Sequence, residues 1–152
     1  MKFTVIIIYI ILLFCSLFAK DIIVVLELEP IGLTADESKI LSQRLTTKLV
    51  SIDKYQVVDR SNMDKILKEQ NFQHSGCTDS ECAIEIGQLL NTDLIVIGNV
   101  SKFATIWSID AKLIDVSKGL ILKSADFSSE GDINLLLTKG IESIAQQLSE
   151  FN

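Results

Sequence analysis

The sequence predicts an α/β (α+β) domain with a mixed sheet of about five strands, in the order β-α-β-α-α-β-β-β-α, and helices packed on that sheet. Three observations carry this expectation. Two apolar, β-branched runs, IIVVLELE at 22–29 and DLIVIGNV at 93–100, have the composition of central strands. Amphipathic helical segments separate them, which makes a crossover unit and so parallel strands. From 105 onward the pattern changes to alternation, a glycine turn and a returning strand, which makes an antiparallel meander.

Taken in order, the first strand, 22–29, ends before Pro30-Ile31-Gly32. Thr34-Ala35-Asp36-Glu37 then forms a capping box, with Thr at the cap and Glu three residues on. Leu41, Leu45, Leu49 and Ile52 follow at helical spacing, so 35–52 is an amphipathic helix. YQVVD, 55–59, is a short strand. Ser61 opens a second helix with Asp64 in its first turn, running through Met63, Ile66 and Leu67 to Gln70. After the loop NFQHSGC, a second capping box, Thr78-Asp79-Ser80-Glu81, starts a helix carrying Cys82, Ile86, Leu89 and Leu90 on one side. Residues 93–100 form the most buried strand. In 105–116, Trp107, Ile109, Ala111 and Leu113 face one way and Ser108, Asp110 and Lys112 the other. Val116-Ser117-Lys118-Gly119 turns the chain, with Gly119 free to take a positive φ. LILKSADFSS returns. Asp132 caps a last helix with an apolar stripe of Ile133, Leu136, Leu137, Ile141, Ile144 and Leu148.

With 152 residues the chain fits one domain. Its 48% hydrophobic and 22% charged residues support a packed core rather than general disorder. A net charge of −6 without a Lys/Arg cluster argues against nucleic acid and against an anionic membrane surface as partners.

The first residues stand apart. MKFTVIIIYIILLFCSLFAK has a basic start, an apolar run from Phe3 to Ala19 and a small residue at its end, the layout of a secretory signal. Residues 1–19 are expected to be a signal peptide cleaved after Ala19, or an uncleaved N-terminal anchor, since the run is about 25 Å long as a helix against a hydrocarbon core of about 30 Å. Cys15 in LLFCS is the alternative, a lipidation site, although bulky Phe14 precedes it. In each case residues 20–152 form a single exported domain, in the periplasm or at the periplasmic face of an outer membrane. Membrane contact is then confined to residues 1–19 or to a lipid on Cys15.

Cys77 and Cys82 lie in the polar stretch SGCTDSECA. With Thr78 as the cap, they take the two positions that a hydrophobic staple brings together across a first helical turn. In an oxidising compartment facing thiols form a disulfide. A six-residue loop gains about 2 kcal/mol, so the bridge would pin the loop 71–77 to the helix and not hold the domain together. The rival is a thiol–disulfide exchange site, but exchange proteins space their cysteines by two residues, and Asp79 and Glu81 disfavour a thiolate. A metal site would have His74, Cys77 and Cys82 at most, one ligand short.

No nucleophile elbow, Walker loop or dinucleotide fingerprint is present, and no catalytic, cofactor-binding or metal-binding residue is assigned. No cofactor is expected. Gly87 and Gly98 read as close packing between helix and sheet. Asp59-Arg60 reads as a structural ion pair, and Trp107 as a core residue or a partner contact.

VVDRSNMDKILKEQ, then SGCTDSECAIEIGQLLNTDLIVIGNV, then AKLIDVSKG resembles the CsgG-like family of bacterial envelope proteins, over about Ile22 to Leu148. That group includes the curli-secretion lipoprotein and outer-membrane activators of penicillin-binding proteins. The resemblance implies a mixed-sheet α/β domain without catalytic residues, acting by protein–protein contact in envelope assembly or secretion. Partners would be other envelope proteins, with self-association left open. A subunit of an oligomeric secretion channel is the alternative within the family. Only Ser101-Lys102-Phe103-Ala104 separate the third and fourth expected strands, too few for a membrane-crossing hairpin of about 9–11 residues per strand.

Overall fold

A computed structural model describes residues 19–70 and 79–150. Its strands are β1 (Ile22–Val25), β2 (Glu29–Ile31), β3 (Gln56–Val57), β4 (Leu94–Phe103), β5 (Ile106–Asp115) and β6 (Leu120–Glu130). Its helices are α1 (Ala35–Ile52), α2 (Arg60–Glu69), α3 (Ser80–Leu89) and a C-terminal helix of three parts. That helix opens as α4 (Ile133–Leu135), passes through a π-helical segment (Leu136–Gly140) and ends as α5 (Ile141–Ser149).

The sheet runs β3-β1-β4-β5-β6, with β2 also paired to β4. The first three neighbours are parallel and the β4-β5-β6 meander is antiparallel, as the two halves of the sequence predict. Two cores cover its faces. Leu41, Leu45 and Leu49 of α1 and Ile141, Ile144 and Leu148 of α5 pack on Ile23, Val25, Val96, Ile109 and Leu113. On the other face Met63 and Leu67 of α2 and Ala83 and Ile86 of α3 pack on Val24, Ile95, Ile97 and Ile114. The alternation of side chains along β1 and β4 feeds both layers, which is why these strands read as continuous apolar runs.

The first expected strand is two. β1 pairs Val25 with Val96, and β2 pairs Glu29 with Asn99, so three residues (26–28) face two (97 and 98). Two α1 hydroxyls satisfy the backbone at this break. The Leu28 N–H donates to Ser42 Oγ at 2.9 Å, and Ser38 Oγ donates to the Leu28 carbonyl. Ser38 and Ser42 are buried on the α1 stripe, whereas Ile52, expected there, is partly exposed.

Local signals set the caps. Thr34 and Glu37 form both halves of the expected capping box. Asp132 caps the C-terminal helix as expected, whereas α2 and α3 start differently from expectation. Asp59, not Ser61, caps α2, accepting from the Ser61 and Asn62 N–H groups, and Asp64 falls beyond the first turn. Asp79, not Thr78, caps α3, accepting from the Cys82 N–H at 2.8 Å. A carboxylate outcompetes a hydroxyl because the bond is charge-assisted and aligned with the helix dipole. Asp59 and Arg60 are therefore not partners of each other: Arg60 pairs with Glu27.

Gly87 packs as expected, since a Cβ there would lie 2.5 Å from the Val116 side chain. Gly98 does not face a helix: its Cβ would lie 2.1 Å from the Asp110 carbonyl oxygen of β5. Tyr55 and Lys54 tie the end of α1 to α5, donating to the Leu148 carbonyl at 2.9 Å and the Ser149 carbonyl at 2.7 Å.

β6 is a long edge strand, and its middle is guarded. The Gln147 side chain of α5 accepts from the Asp126 N–H at 3.3 Å and donates to the Asp126 carbonyl at 2.9 Å. An open edge is a template for pairing with another chain. Gln147→Ala is expected to leave the fold intact and raise concentration-dependent self-association, read by light scattering; scattering equal to the parent's would show that the amide does not protect the edge.

Candidate interaction surface

Among the described residues, the far end of the sheet keeps apolar side chains exposed. There β2, β4 and β5 carry Ile31, Phe103 and Ile106, which are 49%, 81% and 49% exposed. Register places them on one face. Ile31 is paired with Ser101, two residues before Phe103 on β4, and Phe103 is paired with Ile106. Beneath them the Ser101 and Ser108 hydroxyls bond at 2.6 Å.

The backbone here is shaped by two special positions. Gly32, with φ 76°, leaves β2 so close to β4 that a Cβ would lie 2.6 Å from the Lys102 carbonyl oxygen. Ala104, with φ 54°, turns β4 into β5 with Thr105 as the second connecting residue. The connection is shorter than the four residues expected. Lys102 points to the opposite face, its Nζ 4.5 Å from the centre of the Trp107 ring. Trp107 is buried and donates through its ring N–H to the Gly131 carbonyl at 3.1 Å, which makes it a core residue, the first of its two expected roles.

Four exposed carboxylates share the face of the apolar group. Glu29 pairs with Asn99, Asn99 with Asp110, Asp110 with Asp126, and Glu130 with Ile106. The sequence carried a signal for this surface that the reading above missed. In IWSIDAKL, Ile106 falls on the wet face with Ser108 and Asp110, where an apolar residue has no core to enter.

At the opposite end of the sheet lies an open cleft of about 550 Å³, lined among others by Asp21, Gln88, Asn91, Asp93, Asp115 and Lys118. Two of its carboxylates serve the fold. Asp93 accepts from the Ile22 N–H at 2.8 Å. Asp115 accepts from Ser117 Oγ at 2.6 Å and the Lys118 N–H at 2.9 Å, fixing the turn before Gly119 (φ 67°). The Ser117 hydroxyl first, then the Lys118 N–H, hold the Asp115 carboxyl down to about 2 from its ordinary 3.8. A lowered folded-state value stabilises the fold above pH 4, and that contribution is lost as pH falls from about 4 towards 2. Asp115→Asn is expected to be less stable than the parent at neutral pH and to lose less on acidification over that window, measured as urea midpoints at pH 7, 4 and 2.5. Parallel pH curves would remove Asp115 from the acid response.

Of the positions singled out in the sequence, Cys15, His74 and Cys77 lie outside the described residues. Ala19 is exposed and precedes β1 by two residues. Cys82 is half-buried and packs against the second core. With Asp79 as the cap, Cys82, which is disulfide-bonded, is the third helical residue and not the fourth, so its pairing does not follow from the staple positions. Among the described residues no group of three or more His, Cys, Asp or Glu side chains could hold a metal ion, and no helix is long and apolar enough to cross a membrane.

These features define a class of protein: a three-layer α/β domain with a mixed sheet, helices on both faces and exposed apolar side chains at one end of the sheet. The chain belongs to the CsgG family, described as the curli production assembly/transport component, whose model matches residues 29–108, more than half of the chain. Solved structures share the fold at low identity. The C-terminal domain of LpoB from Salmonella enterica superposes with a TM-score of 0.62 at 15% identity, covering 76% of this chain and 86% of that one. Lipoprotein GNA1162 from Neisseria meningitidis gives 0.62 at 16%, covering 86% and 97%. A PelC dodecamer subunit from Paraburkholderia phytofirmans gives 0.54 at 19%, covering 86% of each. No curated protein matches the chain by sequence.

Proposed function

We propose that this chain is an exported, non-enzymatic envelope domain that works by protein–protein contact in assembly or secretion, in the periplasm or at the periplasmic face of an outer membrane. The observation that carries the proposal is the exposed Ile31–Phe103–Ile106 group on a member of the CsgG family. Contiguous apolar surface at the end of a sheet is suited to contact with another protein. The solved relatives add support through their names, one a lipoprotein and one a dodecamer.

Residues 1–19 would direct export, with cleavage after Ala19 or lipidation of Cys15. Cleavage after Ala19 would leave β1 whole and keep Lys20, which pairs with Asp53 at 2.6 Å. A fusion of residues 1–25 to a reporter active only outside the cytoplasm is expected to report, and silence would remove the export reading. Photo-crosslinking side chains placed singly over the surface of the full chain in its own cells are expected to give discrete protein adducts. Protein adducts from none of the positions would overturn the proposed function.

In that compartment Cys77 and Cys82 would be joined as a structural bridge. Replacing both by Ser is expected to cost about 2 kcal/mol while β1 and β4 keep their hydrogen-exchange protection. A reduction potential below about −300 mV fits this role, whereas one near those of oxidising exchange proteins would make the pair a redox site.

A further inference from the structure

The surface in the proposed function can be assigned a partner chemistry. We propose that the far end of the sheet docks a basic protein segment: Ile31, Phe103 and Ile106 take an apolar anchor, and Glu29, Asp110, Asp126 and Glu130 take flanking Lys or Arg. The inference rests on the reading that the chain works by protein contact, and adds where and with what.

Three observations point to this occupant. The apolar side chains come from three neighbouring strands on one face, so they form one patch and not scattered exposures. The four carboxylates lie on that same face and all are exposed, with Glu130 also accepting from Thr105 Oγ1 at 3.2 Å, so each can meet a cation at the rim. Lys102 lies on the other face, over Trp107, and Lys112 lies six residues along β5 from Ile106, paired with Ile97 and two residues beyond Asp110, so one cation stands against four carboxylates on this face. The rim is therefore acidic around an apolar centre, in a chain of net charge −6. Such a rim steers a basic partner in and repels anionic lipid headgroups, which disfavours a bilayer as the occupant. The far end of β4 also points away from Ile22, at the other end of the β1–β4 pairing. A chain tethered through its N-terminal segment would thus present this end away from its membrane.

The test uses two labelled peptides, Lys-Leu-Lys-Phe-Lys-Leu and Glu-Leu-Glu-Phe-Glu-Leu, and vesicles of phosphatidylethanolamine with phosphatidylglycerol. The basic peptide is expected to bind the full domain and shift the amide resonances of residues 29–31 and 101–110. Phe103→Ser and the pair Asp110→Lys/Glu130→Lys are each expected to weaken binding about tenfold or more. Leu120→Ser, an exposed site 56% open at the other end of β5–β6, should leave it unchanged. Circular dichroism of each variant checks that the fold is retained. Equal binding of the two peptides, shifts elsewhere on the domain, or vesicle binding lost on Phe103→Ser would overturn the proposal. In cells, crosslinkers at positions 103, 120 and 54 separate the two levels. Protein adducts from 103 support the docking site. Adducts only from 120 or 54 sink it and leave the proposed function standing, and adducts from none sink both.

Discussion

Replacing both Ser38 and Ser42 by Ala is expected to destabilise the domain by about 4 kcal/mol, more than its conservative chemistry suggests. The two hydroxyls complete the backbone of Leu28 where β1 breaks into β2. Leu28 is fully buried, so water has no ready access to the groups left behind. An unsatisfied buried donor or acceptor costs about 1–3 kcal/mol, and the double variant orphans one of each. Ser42 Oγ also donates to the Ser38 carbonyl at 2.8 Å, so the two sites form one network and their effects should not add. Urea unfolding of both single variants and the double variant measures this. A double-variant loss under about 1 kcal/mol would mean that the break is solvated or relaxes at little cost.

Gly98→Ala is expected to cost about 3 kcal/mol or to prevent folding. Its added Cβ would sit 2.1 Å from the Asp110 carbonyl oxygen and 2.9 Å from the Ala111 Cα. Both atoms are backbone of β5, held by pairing with β4 and β6, so no flexible side chain can move aside. Gly87→Ala is the informative comparison, because there the obstacle is the Val116 side chain. The first variant should lose exchange protection along β4 and β5, whereas the second should keep it. Parent-like stability of Gly98→Ala would show that β4 can shift away from β5 at this point.

Much of the fold could be read locally. The Thr34–Glu37 box, the Leu41–Leu45–Leu49 stripe and the Trp107–Ile109–Ala111–Leu113 alternation each depend on residues a few positions apart, and all stand as expected. Where two caps competed within one or two residues, at Asp59 against Ser61 and Asp79 against Thr78, the pattern alone did not choose. The C-terminal stripe was legible but its geometry was not. Leu136 and Ile141 are both fully buried five residues apart, a spacing that fits the π-helical segment between them better than a regular α-helix. The docking face was the least legible part. Ile31 and Phe103 are 72 positions apart, and only the β2–β4 register brings them together.

The sequence by itself determined the element order, the parallel and antiparallel halves, the buried faces and the family. These follow from periodicity, turn chemistry and motif, which are carried by neighbours in the chain. Tertiary structure alone decided the break between β1 and β2 and its repair by two helix hydroxyls. It also decided the strand that confronts Gly98, the Gln147 guard on β6 and the exposed apolar group around Phe103. Each of these depends on which strand lies beside which, in what register, and how far a helix reaches over the sheet. Those are relations between distant segments, and no local window of sequence contains them.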